Sequence, residues 1–582
     1  MLPPPTTQTS PPPSYPFLIV VSLLLLSICS FYLAGLVLSH SYADVMRLAH
    51  ITYDDGGQHA LQPQLRPAQF RLAQRVIPPL SVITFGLLFY QLHRSSAIRN
   101  EFRLLWAESK GRCSALRTSW QQLTINQQFT ALALLCILLA GRLYYLFSYP
   151  LFNDEITSFN LFVREGIVAV SSYYPIPNNH IFYNLISWGF YKISPNFYWA
   201  GRLPTLLISS AGTVLFYLIL LRQSNFTVAT VAVGLFCLTP YGMEHSFIER
   251  GYFLLNCCAV LGFLAGVSIL HGTSYERLSW LLLALTSLAG FYTVPTYLYP
   301  YLSLNVVLGA PWLAQRNWLA LGKLATLNIL VCSCCLLVYT PVLGVSGIQS
   351  IVGNYHVVSL QPTQFWNKFG PYAHYTAGYL IGQERMGLWL DFGILLGLGW
   401  LTRSSSRTDL VRRIAWPAMA YAMLGFVWIA MQRVMPPERV LAYRLFFLFI
   451  VAGVLLDFFF RNRRWTQLQV LNTLCAVLIL YGSYQVYYLE KRREPLQALN
   501  KQAYRTYQWF AAHNARRVLV YFNYYPPFLY HYARQEGYVL DADGRPRTGV
   551  SYNYIALPRN EIIRDSLRVV AYPDTFVKVV QP

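Results

Sequence analysis

The stretch FTALALLCILLAGRLYYLF (129–147), followed at once by SYPLFNDE (148–155), decides the reading. Its first part is apolar over about the length a helix needs to cross a bilayer, with Arg142 as its one charge. Its second part turns polar and ends in Asn153, Asp154 and Glu155. This is a spanning helix that delivers two carboxylates to one membrane face.

Similar apolar runs lie near 17–38, 76–92, 203–221, 226–242, 253–271, 278–291, 294–311, 322–342, 387–402, 414–432, 440–460 and 467–488. About 13 spans result, with the weakest division at Thr293–Pro295 inside 278–311. Of 582 residues, 55% are apolar and only 12% charged, against roughly a quarter charged in soluble proteins. That excludes a soluble globular enzyme and a disordered chain. The fold class is an all-α polytopic membrane protein. A net charge of +21 resides mostly in Arg dispersed between apolar runs, which fits the positive-inside rule and contact with anionic lipid or phosphate rather than nucleic acid.

Orientation follows from the basic loops. His93–Gln122 carries Arg94, Arg99, Arg103, Lys110, Arg112 and Arg117 and reads as a cytoplasmic loop. Arg403, Arg407, Arg412 and Arg413, and then Arg461, Arg463 and Arg464, fall on the same side. Lys491–Arg493 conflicts with this pattern. Segments 148–200 and 343–386 are then extracytoplasmic. Ile156–Glu165 and Ile181–Ile193 read as helices on the interface, and Gly344–Glu384, with Tyr355, His356, Trp366, Tyr372, His374 and Tyr375, as a mobile cover.

The domain reading is a Pro-rich disordered tail (1–16), two extra N-terminal spans with the basic loop (17–128), a transmembrane core (129–489) and a small extracytoplasmic α/β domain (490–582). In the last, VLVYF (518–522) and NYIAL (553–557) read as strands and Pro526–Gln535 as a helix. Its aromatic stretch Tyr521–Tyr532 is suited to touching sugars, and its length allows only a small core. Nine of the ten cysteines lie in apolar runs. Cys332, Cys334 and Cys335 read as core packing rather than a metal site, having no His nearby.

Ionisable groups near a membrane mark function, and four clusters on the extracytoplasmic rim carry the chemistry. Asp154 reads as a general base at a helix end or as the cap of Ile156–Glu165, and the two roles are compatible. Pro177–Asn178–Asn179–His180 reads as hydrogen-bonding groups for sugar or phosphate, or as an Asn-rich turn. Glu244–His245 and Glu249–Arg250–Gly251–Tyr252 offer an Arg to a phosphate or a Glu–Arg pair closing the loop. Pro436–Pro437–Glu438–Arg439, with Tyr443 and Arg444 beyond, is a rigid turn aiming Arg439, or a set of interfacial anchors.

NDE after a helix, PNNH about 25 residues on, Arg202–Leu203–Pro204 opening the next span, ERGY (249–252) and the late PPER (436–439) together resemble the GT-C superfamily of membrane glycosyltransferases. The resemblance is to the bacterial branch similar to dolichyl-phosphate-mannose protein mannosyltransferases and the lipid A aminoarabinose transferase. It covers 129–460. Where that family often has Pro after NNH, this chain has Ile181. The resemblance implies an inverting transfer from a polyprenyl-phosphate sugar to a lipid, glycan or protein acceptor, at the outer face of the inner membrane. It implies Asp154 as general base with Glu155 in support. Arg250 and Arg439 are expected on the donor phosphate, Asn179 and His180 on donor or acceptor, and Glu244 and Tyr252 nearby. Lys192 and Arg202 are counterparts of a basic residue that meets the phosphate in some relatives. Some relatives use a divalent metal, for which Asp154 is the candidate ligand. A transporter of lipid-linked saccharides is the alternative, with required charges spread through the spans. A third reading is a membrane scaffold presenting the C-terminal domain.

Overall fold

The computed structural model describes residues 15–51, 61–272, 275–353, 357–404, 408–521, 525–561 and 567–581. The Pro-rich tail up to residue 14, Tyr355, His356 and Arg407 lie outside them. Helices occupy every position read as a span, and nine, among the described residues, are each long and apolar enough to cross a bilayer. The division near 293 holds: Glu276–Thr293 ends there, and Leu298–Ala314 begins after a 3-10 turn at Pro295–Tyr297. Val294 precedes Pro295 and is extended (φ −148°, ψ 129°), as residues before proline tend to be.

The bundle core is apolar throughout, with Phe216, Phe253, Phe263, Tyr421 and Phe447 among its buried rings. Two arginines inside it are paired. Arg142 donates to Thr213 Oγ1 (2.9 Å). Arg444, expected on the rim, is instead buried against Asp391, as a charge in hydrocarbon requires.

Three expectations are corrected. The basic loop 93–122 is a helix, Ser96–Gln121, docked through Glu101 and Glu108 onto Arg277 (2.5 and 3.0 Å). Its apolar residues recur at helical spacing, which the density of charge masked. The interfacial helix expected at Ile156–Glu165 is not on an interface. The helix Asn153–Ser158 continues into a π turn, Phe159–Val163, whose Ile156, Phe159 and Val163 are buried. About half of the cover 344–384 is the helix Pro362–Ile381, tied down by a hydrogen bond from the Tyr372 hydroxyl to the Pro436 carbonyl (2.7 Å).

The last span does not stop at 488. One helix, Gln467–Ala512, runs 46 residues out of the bundle into the C-terminal region, with Pro495 in its interior. There β1 (Arg517–Val520), β2 (Asp541–Asp543), β3 (Tyr554–Pro558), β4 (Arg568–Ala571) and β5 (Val577–Gln581) form one sheet in the order β2-β1-β3-β5-β4. The first three strands are parallel, β1 and β2 being joined through the helix Tyr525–Gln535. β5 runs antiparallel to β3 and β4. The core of this region is shared: Val518, Val520, Phe528, Val577 and Val579 pack in one cluster with Ile156, Phe159, Val163 and Phe197. A short chain thus gains the burial it lacks alone, and the sheet is fixed to the segment that carries Asp154.

Candidate active site

Asp154 stands in the first turn of Asn153–Ser158. Its side chain does not cap that helix. The carboxylate of Glu155 does so, accepting the Phe152 N–H (2.8 Å). That leaves the Asp154 carboxylate, 29% exposed, free to face a cleft.

The cleft holds about 560 Å³ of empty space, part of it open. Asp154, Glu244 and Glu438 line it against Arg250, Arg439 and Arg492, with Tyr241, His245, Tyr252 and Tyr379 between. Asp154 Oδ2 lies 3.6 Å from Arg250 Nη2 and 3.5 Å from Arg439 Nη2. Both guanidinium groups stand over the Tyr252 ring, at 5.4 and 5.5 Å. Arg250 is almost fully buried and is held by the Asn178 side chain and by the backbone carbonyls of Asn178 (3.2 Å) and Asp154 (3.4 Å). Arg439 is more open, and its Nε is buried with no partner among the described residues. Arg492 meets Glu244 Oε2 (3.4 Å) and donates to the Tyr379 hydroxyl (2.8 Å).

The remaining expected residues stand behind this wall. Glu155 and Arg202 are both fully buried and paired with each other. All five donors of a guanidinium are used in Arg202: two on Glu155 and three on the carbonyls of Leu146, Tyr149 and Pro150 (2.9–3.0 Å). Arg202 therefore has no donor left for a phosphate. Glu155 Oε2 also accepts the Glu249 N–H (3.1 Å), tying three segments together. Asn179 is likewise internal, donating to the carbonyls of Val170 and Tyr173 and accepting from Asn184. Lys192 is exposed and lies over Trp188 (5.3 Å), away from the cleft lining.

His180 is buried and accepts the Gly251 N–H at Nδ1 (2.8 Å), which requires the neutral ring. Burial, then Arg250 and Arg439, hold its pKa well below the usual imidazole range. His245 is depressed in the same way, by burial, then Arg439 and Arg250. A Cβ on Gly251 would sit 2.6 Å from Thr293 Cγ2 and 3.0 Å from His180 Nδ1. Only glycine lets the loop close onto the imidazole there. Glu249 is buried with both oxygens unpartnered among the described residues, and burial raises its pKa well above the carboxylate range.

Among the described residues no three His, Cys, Asp or Glu side chains gather in metal-binding fashion. Asp154 faces two cations, so its donor set does not fit a divalent ion.

No family model and no curated sequence matches the chain. Solved structures do. ArnT from Cupriavidus metallidurans, in crystal structures bound to undecaprenyl phosphate and in the apo state, aligns with TM-score 0.51 at 13% identity, over 77% of this chain and 97% of that one. The chain shares the fold of that protein. The arabinosyltransferase EmbB from Mycobacterium smegmatis, solved by single-particle cryo-EM, aligns at TM-score 0.38 and 14% identity over 68% of this chain and 34% of that one.

Within this fold the sequence reading missed Arg492 and Tyr379 as cleft residues. Tyr379 lies inside the expected cover without any distinguishing pattern. Arg492 did leave a signal: it belongs to the one basic cluster that breaks the positive-inside pattern, and a charge kept against that pattern has a local task.

Proposed function

We propose that this protein is an inverting glycosyltransferase that moves a sugar from a polyprenyl-phosphate donor to an acceptor at the outer face of the bacterial inner membrane. The observation that carries this is the convergence of Asp154 with Arg250 and Arg439 at one end of an apolar helical bundle. The orientation rests on the basic clusters. Arg444–Asn462 begins near Arg439 and ends beside Arg461, Arg463 and Arg464, so the cleft is at the opposite end from that cluster.

The chemistry follows from charge. A donor phosphate entering between Arg250 and Arg439 competes with Asp154 for both guanidinium groups and releases the carboxylate. Asp154 then accepts the proton of the acceptor hydroxyl. The acceptor oxygen bonds to the anomeric carbon as that carbon's bond to the phosphate oxygen breaks. The bond's electrons stay on the phosphate, where the arginines stabilise them, and the anomeric centre inverts. Tyr252 keeps the two guanidinium groups in place by cation–π contact. Glu155 and Arg202 position the loop, and His180 fixes Gly251 beside Arg250.

The test is incubation of the full chain in nanodiscs with a panel of polyprenyl-phosphate sugars and a membrane lipid extract as acceptor. Release of free polyprenyl phosphate supports the transferase. Movement of intact lipid-linked sugar across proteoliposomes without release would instead support a transporter.

A further inference from the structure

A second cavity is lined by the helix that carries Asp154. It holds about 460 Å³ of empty space, part of it open, between the loop residues Thr157 and Asn160 and the C-terminal residues Tyr530, Asp541, Asp543 and Arg547. None of these belongs to the Asp154 cleft.

Its polar atoms are the notable feature. Asn160 is 2% exposed, and both its Oδ1 and its Nδ2 are without a hydrogen-bond partner among the described residues. Thr157 Oγ1 and Arg547 Nε, on the same cavity, are in the same condition. Buried polar groups are almost always satisfied, so four unpartnered atoms carried by three residues that line one space point to a polar guest. The opposite wall is held in shape: Asp543 accepts from Arg547 (2.5 Å) and from the Tyr552 hydroxyl (2.9 Å).

The chemistry of the guest can be read from this set. Asp541 and Asp543 are each paired with a guanidinium, Arg517 and Arg547, which leaves no uncompensated positive charge for a phosphate. The unsatisfied donors and acceptors disfavour an apolar chain. An amide that both donates and accepts, a hydroxyl and a carboxylate suit a ligand whose groups also do both, and the Tyr530 ring, covered on one face by Arg534 (4.3 Å), lines the same space. Sugar rings carry such groups. We propose that this cavity is a saccharide subsite that seats a sugar of the acceptor remote from the reacting hydroxyl.

Its position supports that role. Thr157 is three residues after Asp154 on one short helix, a separation at which side chains are neighbours. An acceptor of two or more sugars reaches from the cavity to Asp154 around that helix. This explains why the C-terminal sheet shares a core with the catalytic loop: it supplies the far wall. The role as an acceptor site rests on the transferase reading, whereas saccharide binding itself does not.

The test uses the full chain in nanodiscs and methyl glycosides of neutral di- and trisaccharides of hexoses and pentoses, followed by saturation-transfer NMR and titration. At least one is expected to bind. Asn160→Ala and Tyr530→Ala, from opposite walls, should each weaken it tenfold or more, while Arg439→Gln leaves it within twofold. Thr157→Val, nearly isosteric, takes the place of Asn160→Ala if that variant does not fold. Polyprenyl-phosphate binding, measured in parallel, should show the reverse dependence. Absence of binding across the panel, or affinity unchanged in variants that melt like wild type, would overturn the subsite. Loss of polyprenyl-phosphate binding alone would count against the transferase reading and leave the subsite standing.

Discussion

Asp154 and Glu155 are adjacent, alike in chemistry and separated by burial alone. One faces the cleft at 29% exposure; the other is sealed against Arg202. Breaking that sealed pair leaves an uncompensated buried charge. Glu155→Ala is expected to cost about 3–5 kcal/mol and to show as lost yield and a lowered melting temperature in detergent. Arg439→Gln removes a half-exposed cation and should leave melting nearly unchanged while weakening polyprenyl-phosphate binding tenfold or more, read by titration in nanodiscs. The position of the acidic pair was legible in the sequence, because a carboxylate directly after an apolar run faces the membrane surface. The division of labour was not, because burial depends on Arg202 and Glu249, about 50 and 95 residues away in the chain. Asn179 is an internal brace for a different reason: its partners, Val170, Tyr173 and Asn184, are all within ten residues, and a buried turn has the same sequence as an exposed one.

At the level of elements, the helices were legible from apolar runs, including the break at Val294–Pro295, where proline and an extended residue interrupt the hydrogen-bond ladder. Helix Ser96–Gln121 was not, because its polar composition hid the stripe that docks on Arg277. Nor was the length of Gln467–Ala512: its apolar part ends near 488 and Pro495 reads as a stop, yet the helix runs through that proline to Ala512, just before Asn514 at positive φ. That continuity places Arg492 at the cleft. Arg492→Gln is accordingly expected to impair donor binding without unfolding the sheet, with far-ultraviolet circular dichroism as the check on the latter. The loop segment Phe159–Val163 answers to packing instead. Phe159 lies 5.1 Å from Phe197, and Phe159→Ala should cost about 3–5 kcal/mol, read as a lower melting temperature.

Across the whole molecule, the C-terminal sheet and the segment that carries Asp154 are one packed unit, and its buried imidazoles set its response to acid. His531 is buried against Phe197, both ring nitrogens unpartnered among the described residues, and its pKa is pushed down to about 3 by burial, then Arg164 and Arg202. The unfolded chain takes up this proton near pH 6.5 and the folded chain near 3. Stability is therefore fully present above about pH 6.5 and lost as pH falls through that window, by about 1.4 kcal/mol per pH unit. His180 and His245, also depressed, act in the same direction. His531→Phe should melt higher than wild type at pH 5 and show less difference at pH 7.5, as thermal scans at the two pH values would reveal.

The account stands or falls on Asp154 as the base. The decisive measurement is a single-turnover comparison of wild type and Asp154→Asn on one accepted polyprenyl-phosphate sugar, with polyprenyl-phosphate affinity measured on the same samples. The isosteric change keeps size and removes the proton acceptor, so transfer should fall by about 10²–10⁴-fold with affinity retained or increased, since Arg250 and Arg439 are then released. Transfer at the wild-type rate by an equally folded Asp154→Asn would contradict the account.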